Sequence, residues 1–177
     1  MRVTQIVGNM FGIIGLLGLA CTSAMILWLA SERPNPEDGL SARYYRNLGF
    51  KGTSFKRTDP HLDFYWQQKA PMLGLRADRF SVIWKGCLTV PAPNLRLAIE
   101  ADGAVSARVD GEHWLGETGP APVRVVFSER PLSPGPHTVE LHYQHKGEDS
   151  RFRAALASAS GSLRTLSPHI LRPGACK

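Results

Sequence analysis

Leu95-Arg96-Leu97-Ala98-Ile99-Glu100-Ala101-Asp102-Gly103-Ala104-Val105-Ser106-Ala107-Arg108-Val109-Asp110-Gly111 holds two runs of alternation around a turn. Leu95, Leu97 and Ile99 alternate with Arg96, Ala98 and Glu100. After Asp102-Gly103, Val105, Ala107 and Val109 alternate with Ser106, Arg108 and Asp110. A period of two puts successive side chains on opposite faces of a strand, one buried and one wet. Asp-Gly supplies the backbone freedom of a tight hairpin. The segment therefore reads as two short strands, with a second turn at Asp110-Gly111.

The same period recurs downstream. Val139, Leu141 and Tyr143 alternate with Thr138, Glu140 and His142, and Phe152, Ala154 and Leu156 stand beside Arg151 and Arg153. Pro134-Gly135-Pro136 and Lys146-Gly147-Glu148-Asp149 punctuate these runs. Pro131, Pro134 and Pro136 read as loop residues, because proline breaks a central ladder. No amphipathic helix of useful length and no repeat accompanies them. Short strands at this spacing predict an antiparallel two-sheet β-sandwich over residues 40–160. Residues 161–177 form a tail or an extra strand packing on that domain.

The N-terminal part has a different character. Between Arg2 and Glu32 there is no Asp, Glu, Lys or Arg. As a helix, Val3 to Ser31 would reach roughly 43 Å, enough to cross a bilayer with some tilt. Residues 1–31 are thus expected to form a transmembrane signal-anchor. A cleaved or lipidated leader is the competing reading, since Ala20-Cys21 faintly resembles a lipoprotein cleavage site, but Gly18 stands where a Leu is expected and the apolar run continues well past Ala20-Cys21. Arg2 on one side, against Arg33 and Arg43 on the other, does not set the orientation. The short N-terminal tail favours a cytoplasmic N-terminus and an exported C-terminal domain, with Trp28 at the outer interface. Gly8 and Gly12, then Ala20 and Ala24, repeat the small-residue spacing that lets membrane helices pack closely on an integral membrane partner. Pro34-Asn35-Pro36-Glu37-Asp38-Gly39 makes 32–39 a linker.

The ordered blocks of the C-terminal part resemble a known family. Gly39-Leu40-Ser41-Ala42-Arg43-Tyr44-Tyr45, Leu62-Asp63-Phe64-Tyr65-Trp66 with Pro71, and Asp78-Arg79-Phe80-Ser81-Val82-Ile83-Trp84-Lys85-Gly86 follow its pattern. So do Asp102-Gly103 with Val109-Asp110-Gly111, and Gly135-Pro136-His137-Thr138-Val139-Glu140-Leu141-His142-Tyr143. The set is similar to the protective-antigen-type, or PA-14, β-sandwich domain from Gly39 to Ala159. That resemblance implies a largely non-catalytic recognition module, often for carbohydrate. Its calcium-dependent sugar-binding members carry two adjacent aspartates where this chain has Ala101-Asp102. Calcium takes six to eight oxygen ligands, and alanine offers none. Asp102 therefore reads as a turn residue before a residual calcium ligand.

The remaining chemistry-bearing residues are scattered. Asp110, Glu112, His113 and Trp114 cluster at one turn and form, with Asp102, the candidate binding set. Trp114 could stack on a sugar ring, anchor a partner, or fold back onto the core. Tyr44, Tyr45, Trp66, Phe80 and Trp84 read as core. His137, His142 and His145 read as surface histidines, since His142 and His145 would face opposite ways on one strand. Cys87 and Cys176 either pair in an oxidising compartment or remain thiols. Asp59, Asp63, Asp78 and Glu112 could pair as acid and base, but no zinc-protease, nucleophile-elbow or phosphate-loop motif accompanies them. The chain is therefore expected not to be an enzyme and to need no cofactor. The net charge of +6 suits solubility and mild attraction to anionic lipid or polymer. No basic run interleaved with aromatics points to nucleic acid. An adaptor within a membrane assembly is the leading expectation, and a module binding surface glycan is the alternative.

Overall fold

Alternation is the rule of the domain. The computed structural model describes residues 38–119 and 122–176, so the expected anchor, with Gly8, Gly12, Ala20 and Ala24, and most of the linker lie outside the described residues. Among those described, no helix is long and apolar enough to cross a membrane. Twelve strands follow one another: β1 (Leu40–Tyr45), β2 (Ser54–Asp59), β3 (Asp63–Gln67), β4 (Arg79–Val90), β5 (Arg96–Ala101), β6 (Ala104–Val109), β7 (Glu112–Thr118), β8 (Arg124–Phe127), β9 (Gly135–Lys146), β10 (Ser150–Ala157), β11 (Leu163–Thr165) and β12 (Leu171–Pro173). A 3-10 turn, Pro168–Ile170, precedes β12.

The strands form two antiparallel sheets. The larger runs β2-β1-β4-β9-β6-β7, and β12 pairs with β4 beyond the end of β1. The smaller runs β11-β10-β5-β8, and β3 pairs with β10 beyond the end of β11. One long strand in each sheet thus accepts two short segments end to end on the same edge. β4 and β9 pair over their whole lengths, Arg79↔Lys146 to Val90↔Gly135.

The inner faces meet in an aromatic core. Trp84, Tyr44, Tyr143, Phe80 and Phe152 are fully buried. Trp84 stacks on Phe152 at 4.3 Å, and Phe64 stacks on Trp66 at 4.7 Å. Each such side chain contributes about 1.5–3 kcal/mol by leaving water. One carboxylate sits among them. Asp59 accepts from the Tyr44 hydroxyl at 2.6 Å, Trp84 Nε1 at 2.7 Å and Arg57 Nε at 2.5 Å. Arg57 also lies over the Tyr44 ring. A buried charge survives only when paired and hydrogen-bonded.

Two expectations need correction. Pro136 lies inside β9, opposite Thr89. The N–H of Thr138 points toward the β6 side, at Asp110 Oδ1, and alternation puts Pro136 on that same side. β6 ends at Val109↔Val139, so proline's missing donor faces no strand there. The histidines are not all on the surface either: His145 is 1% exposed and His137 8%. The even spacing from Val139 through Leu141 and Tyr143 carries both onto the inner side of β9.

Candidate functional site

Asp102 stands in the turn between β5 and β6, its carboxylate directed at the end of β9. Oδ1 accepts the Tyr143 hydroxyl at 2.6 Å and the Arg151 N–H at 3.1 Å. Oδ2 lies 3.1 Å from His145 Nδ1, an ion-pair distance off the hydrogen-bond direction. The other nitrogen, His145 Nε2, faces the Gly147 carbonyl at 3.2 Å. Burial alone would raise the Asp102 pKa. The adjacent His145 imidazole and the hydrogen bonds from the Tyr143 hydroxyl and the Arg151 N–H outweigh it and hold the carboxyl below its ordinary value. Burial, then the bond to Asp102, raises the Tyr143 phenol. Gly103 is required beside it, because a Cβ there would lie 2.1 Å from the Gln144 carbonyl oxygen.

The turn does not fit a calcium ion. Its one carboxylate is engaged by three groups of the protein, including an imidazole at ion-pair distance. Ala101 supplies no side-chain oxygen. No group of three His, Cys, Asp or Glu side chains that could hold a metal occurs among the described residues.

The Asp110–Trp114 hairpin is a separate place. Asp110 and Gly111 both have positive φ, 52° and 82°, as a two-residue turn between twisted strands demands. Asp110 then clasps β9: Oδ1 accepts the Thr138 N–H at 2.8 Å, and Oδ2 lies 2.7 Å from His137 Nδ1. Burial lowers the His137 pKa, but the hydrogen bonds to Asp110 and the Ser133 carbonyl prevail and leave it raised. Glu112 pairs with Arg130, whose guanidinium covers the Trp114 ring at 4.5 Å. Trp114 is half-buried against the core. His113 turns to Arg108 at 2.8 Å. The candidate residues therefore split into an internal lock at Asp102, a clasp at Asp110 and a covered tryptophan.

The other carboxylates are each matched to a different cation: Asp59 to Arg57, Asp63 to Arg151, Asp78 to Arg76. No two of them converge as an acid–base pair. Cys87 and Cys176 are joined by a disulfide with a Cα–Cα distance of 5.0 Å.

Sequence reasoning passed over β8. Among the described residues this edge strand pairs only with β5, and Val125 (39%) and Phe127 (45%) stand exposed on it, with Val123 (54%) just before. Ser128 N–H donates to the Leu97 carbonyl, so alternation aims the N–H and C=O of Val125 and Phe127 at the open edge. Phe127 also borders a cleft of about 490 Å³ with Asn94, Arg96, Pro131, Ala157 and Ser158. A four-residue strand is too short for alternation to reveal, although its adjacent valines favour a strand.

These strands make an antiparallel two-sheet β-sandwich. The model of the PA14 domain matches residues 36–151, and the chain belongs to that family. A stretch of 48 residues is 40% identical to the anti-sigma-I factor RsgI3 of Acetivibrio thermocellus, covering 27% of this chain and 8% of that one. A solved anti-sigma factor domain-containing protein superimposes with a TM-score of 0.71 at 22% identity, over 77% of this chain and 49% of its own. The PA14 sugar-binding domain of an RTX adhesin gives 0.60 at 18% identity, over 77% and 99%. This chain thus spans about half of the first of these structures and a small part of the curated relative. At these identities the superpositions speak to the fold.

Proposed function

We propose that the chain is a non-catalytic, membrane-anchored adaptor. Its N-terminus is cytoplasmic, and its sandwich captures a partner protein outside the cytoplasm, within a membrane assembly. The observation that carries this reading is the open edge of β8, where exposed apolar side chains and outward backbone groups combine. An extended segment of a partner adds to such an edge as another strand, by main-chain hydrogen bonds with side chains seated in alternation. The uncharged run of residues 3–31 supports the anchor, and the Cys87–Cys176 disulfide supports export to an oxidising compartment.

Val125→Pro tests it. The Val125 N–H points away from β5, so proline there removes no ladder bond yet blocks strand addition. The variant is expected to keep its fold and to lose the protein that co-purifies with the full chain in mild detergent. A partner retained at wild-type yield by a folded variant overturns the reading.

A second reading, an anchored glycan-binding module, is favoured by the exposed Phe127 ring beside Arg96 and Asn94 in the same cleft. Aromatic faces stack on sugar rings, and flanking polar groups orient them. Phe127→Ala would then abolish binding on a glycan array that Val125→Pro leaves intact. A blank array for the wild-type chain removes this reading.

A further inference from the structure

The outer face of the larger sheet carries an excess of unmatched positive charge. Arg43 and Lys56 lie directly opposite each other on β1 and β2, and Arg79 and Lys146 do so on β4 and β9. All four are exposed, and none forms an ion pair among the described residues. Like charges directly opposite on neighbouring strands are unfavourable without a counter-charge. Arg108 adds a further exposed cation, and the loop 46–53, with Phe50 seated on His142, adds Lys51.

Among the described side chains, acids near this face are few and engaged: Asp78, beside Arg79, is held by Arg76. Glu140 is held by Lys85 at 2.8 Å and His142 at 2.6 Å, and Asp38 pairs with Arg172 at 2.7 Å. Glu148 and Asp149 stand beyond the strand ends, in the β9–β10 turn. The smaller sheet is better matched: its outward Arg151 is paired with Asp63 and Glu100, and Arg153 lies 3.6 Å from Glu100, which leaves Arg96 as an exposed cation with no ion pair among the described residues.

We infer that this face docks on the anionic headgroups of a lipid bilayer. The inference rests on the membrane reading above and adds which side of the domain meets the bilayer. Charge complementarity selects an anionic partner. The chain that precedes the domain selects the bilayer as its source. Thirty-seven residues come before Asp38, uncharged from Val3 to Ser31, and the eight residues 32–39 reach at most roughly 29 Å when fully extended. They lead straight into β1, the strand that bears Arg43. A face tethered within that reach samples the membrane surface at high effective concentration. Docked this way, the domain leaves β8 and the smaller sheet open to a partner.

The test uses the full chain in nanodiscs of phosphatidylcholine, alone or mixed with phosphatidylglycerol. A photo-reactive benzoylphenylalanine is placed at Thr58, exposed on the basic face, or at Tyr65, 61% exposed on the smaller sheet. Crosslinking to lipid from Thr58 is expected to be roughly tenfold stronger in the anionic discs, as one or two engaged cations would give. It should collapse in high salt. Crosslinking from Tyr65 should stay low throughout. Arg43→Glu, Lys56→Glu, Arg79→Glu and Lys146→Glu together should abolish the effect, and the four glutamine substitutions should weaken it with the fold and disulfide intact. If the chain enters the discs but Thr58 crosslinks no better than Tyr65, the docking inference falls and the anchor stands. If the chain does not enter the discs, both fall.

Discussion

Asp102 shows how a carboxylate at a turn becomes part of the interior. Its folded pKa is depressed, so its contribution to stability is present above the unfolded value near about 3.9 and is lost as pH falls through the folded one. Asp102→Asn is expected to cost about 1–3 kcal/mol at neutral pH and to flatten the acid limb of the stability curve. Urea unfolding across that range checks both effects, and an unaltered acid limb would show the lock to be idle. His137 has the opposite sign. Its raised pKa gives a contribution present below the unfolded value near about 6.5 and lost as pH rises through the folded one. His137→Gln should therefore destabilise more at pH 6 than at pH 8.5. Equal losses at the two values would count against the clasp. The sequence marked Asp102 and Asp110 as turn residues because Asp-Gly has local chemistry. It could not supply their partners, since Tyr143 and Arg151 lie 41 and 49 residues from Asp102 and only the topology joins them.

At the scale of elements, the β5–β6 turn depends on close backbone approach. Gly103→Ala would push a methyl against the Gln144 carbonyl, and is expected to cost about 1–3 kcal/mol in thermal unfolding. A variant as stable as the wild type would mean that the turn relaxes freely. β5, β6, β9 and the first half of β10 were legible because one face of each is wet, so polar residues mark the period. The second half of β10, Ala154 to Ala157, is buried on both faces and shows no alternation. β11 and β12 are three residues each, too short for any period to register. Resemblance to the family supplied β1, β3 and β4, which the family match agrees with.

For the whole molecule, the long-range closure is the Cys87–Cys176 bond, 89 residues apart in sequence. Cross-links over such loops typically add about 2–4 kcal/mol. Cys176→Ser, or reductant added to the wild type, is expected to lower the unfolding temperature by a matching amount. Equal melting with and without reductant would deny the bond a role in stability. Charge is also a property of this scale. Composition showed a basic chain, but which of its cations stand opposite one another on an outer face required knowing which strands are neighbours.

The two ends of the described domain meet. Gly39 donates its N–H to the Leu171 carbonyl at 3.2 Å, and Asp38 holds Arg172. A fold whose ends touch is a closed circuit: it can be spliced into a surface loop of another protein without prying its host apart. A short bridge between those ends, with a new opening cut at the exposed Glu148-Asp149 turn, would give a rewired chain with the same sandwich.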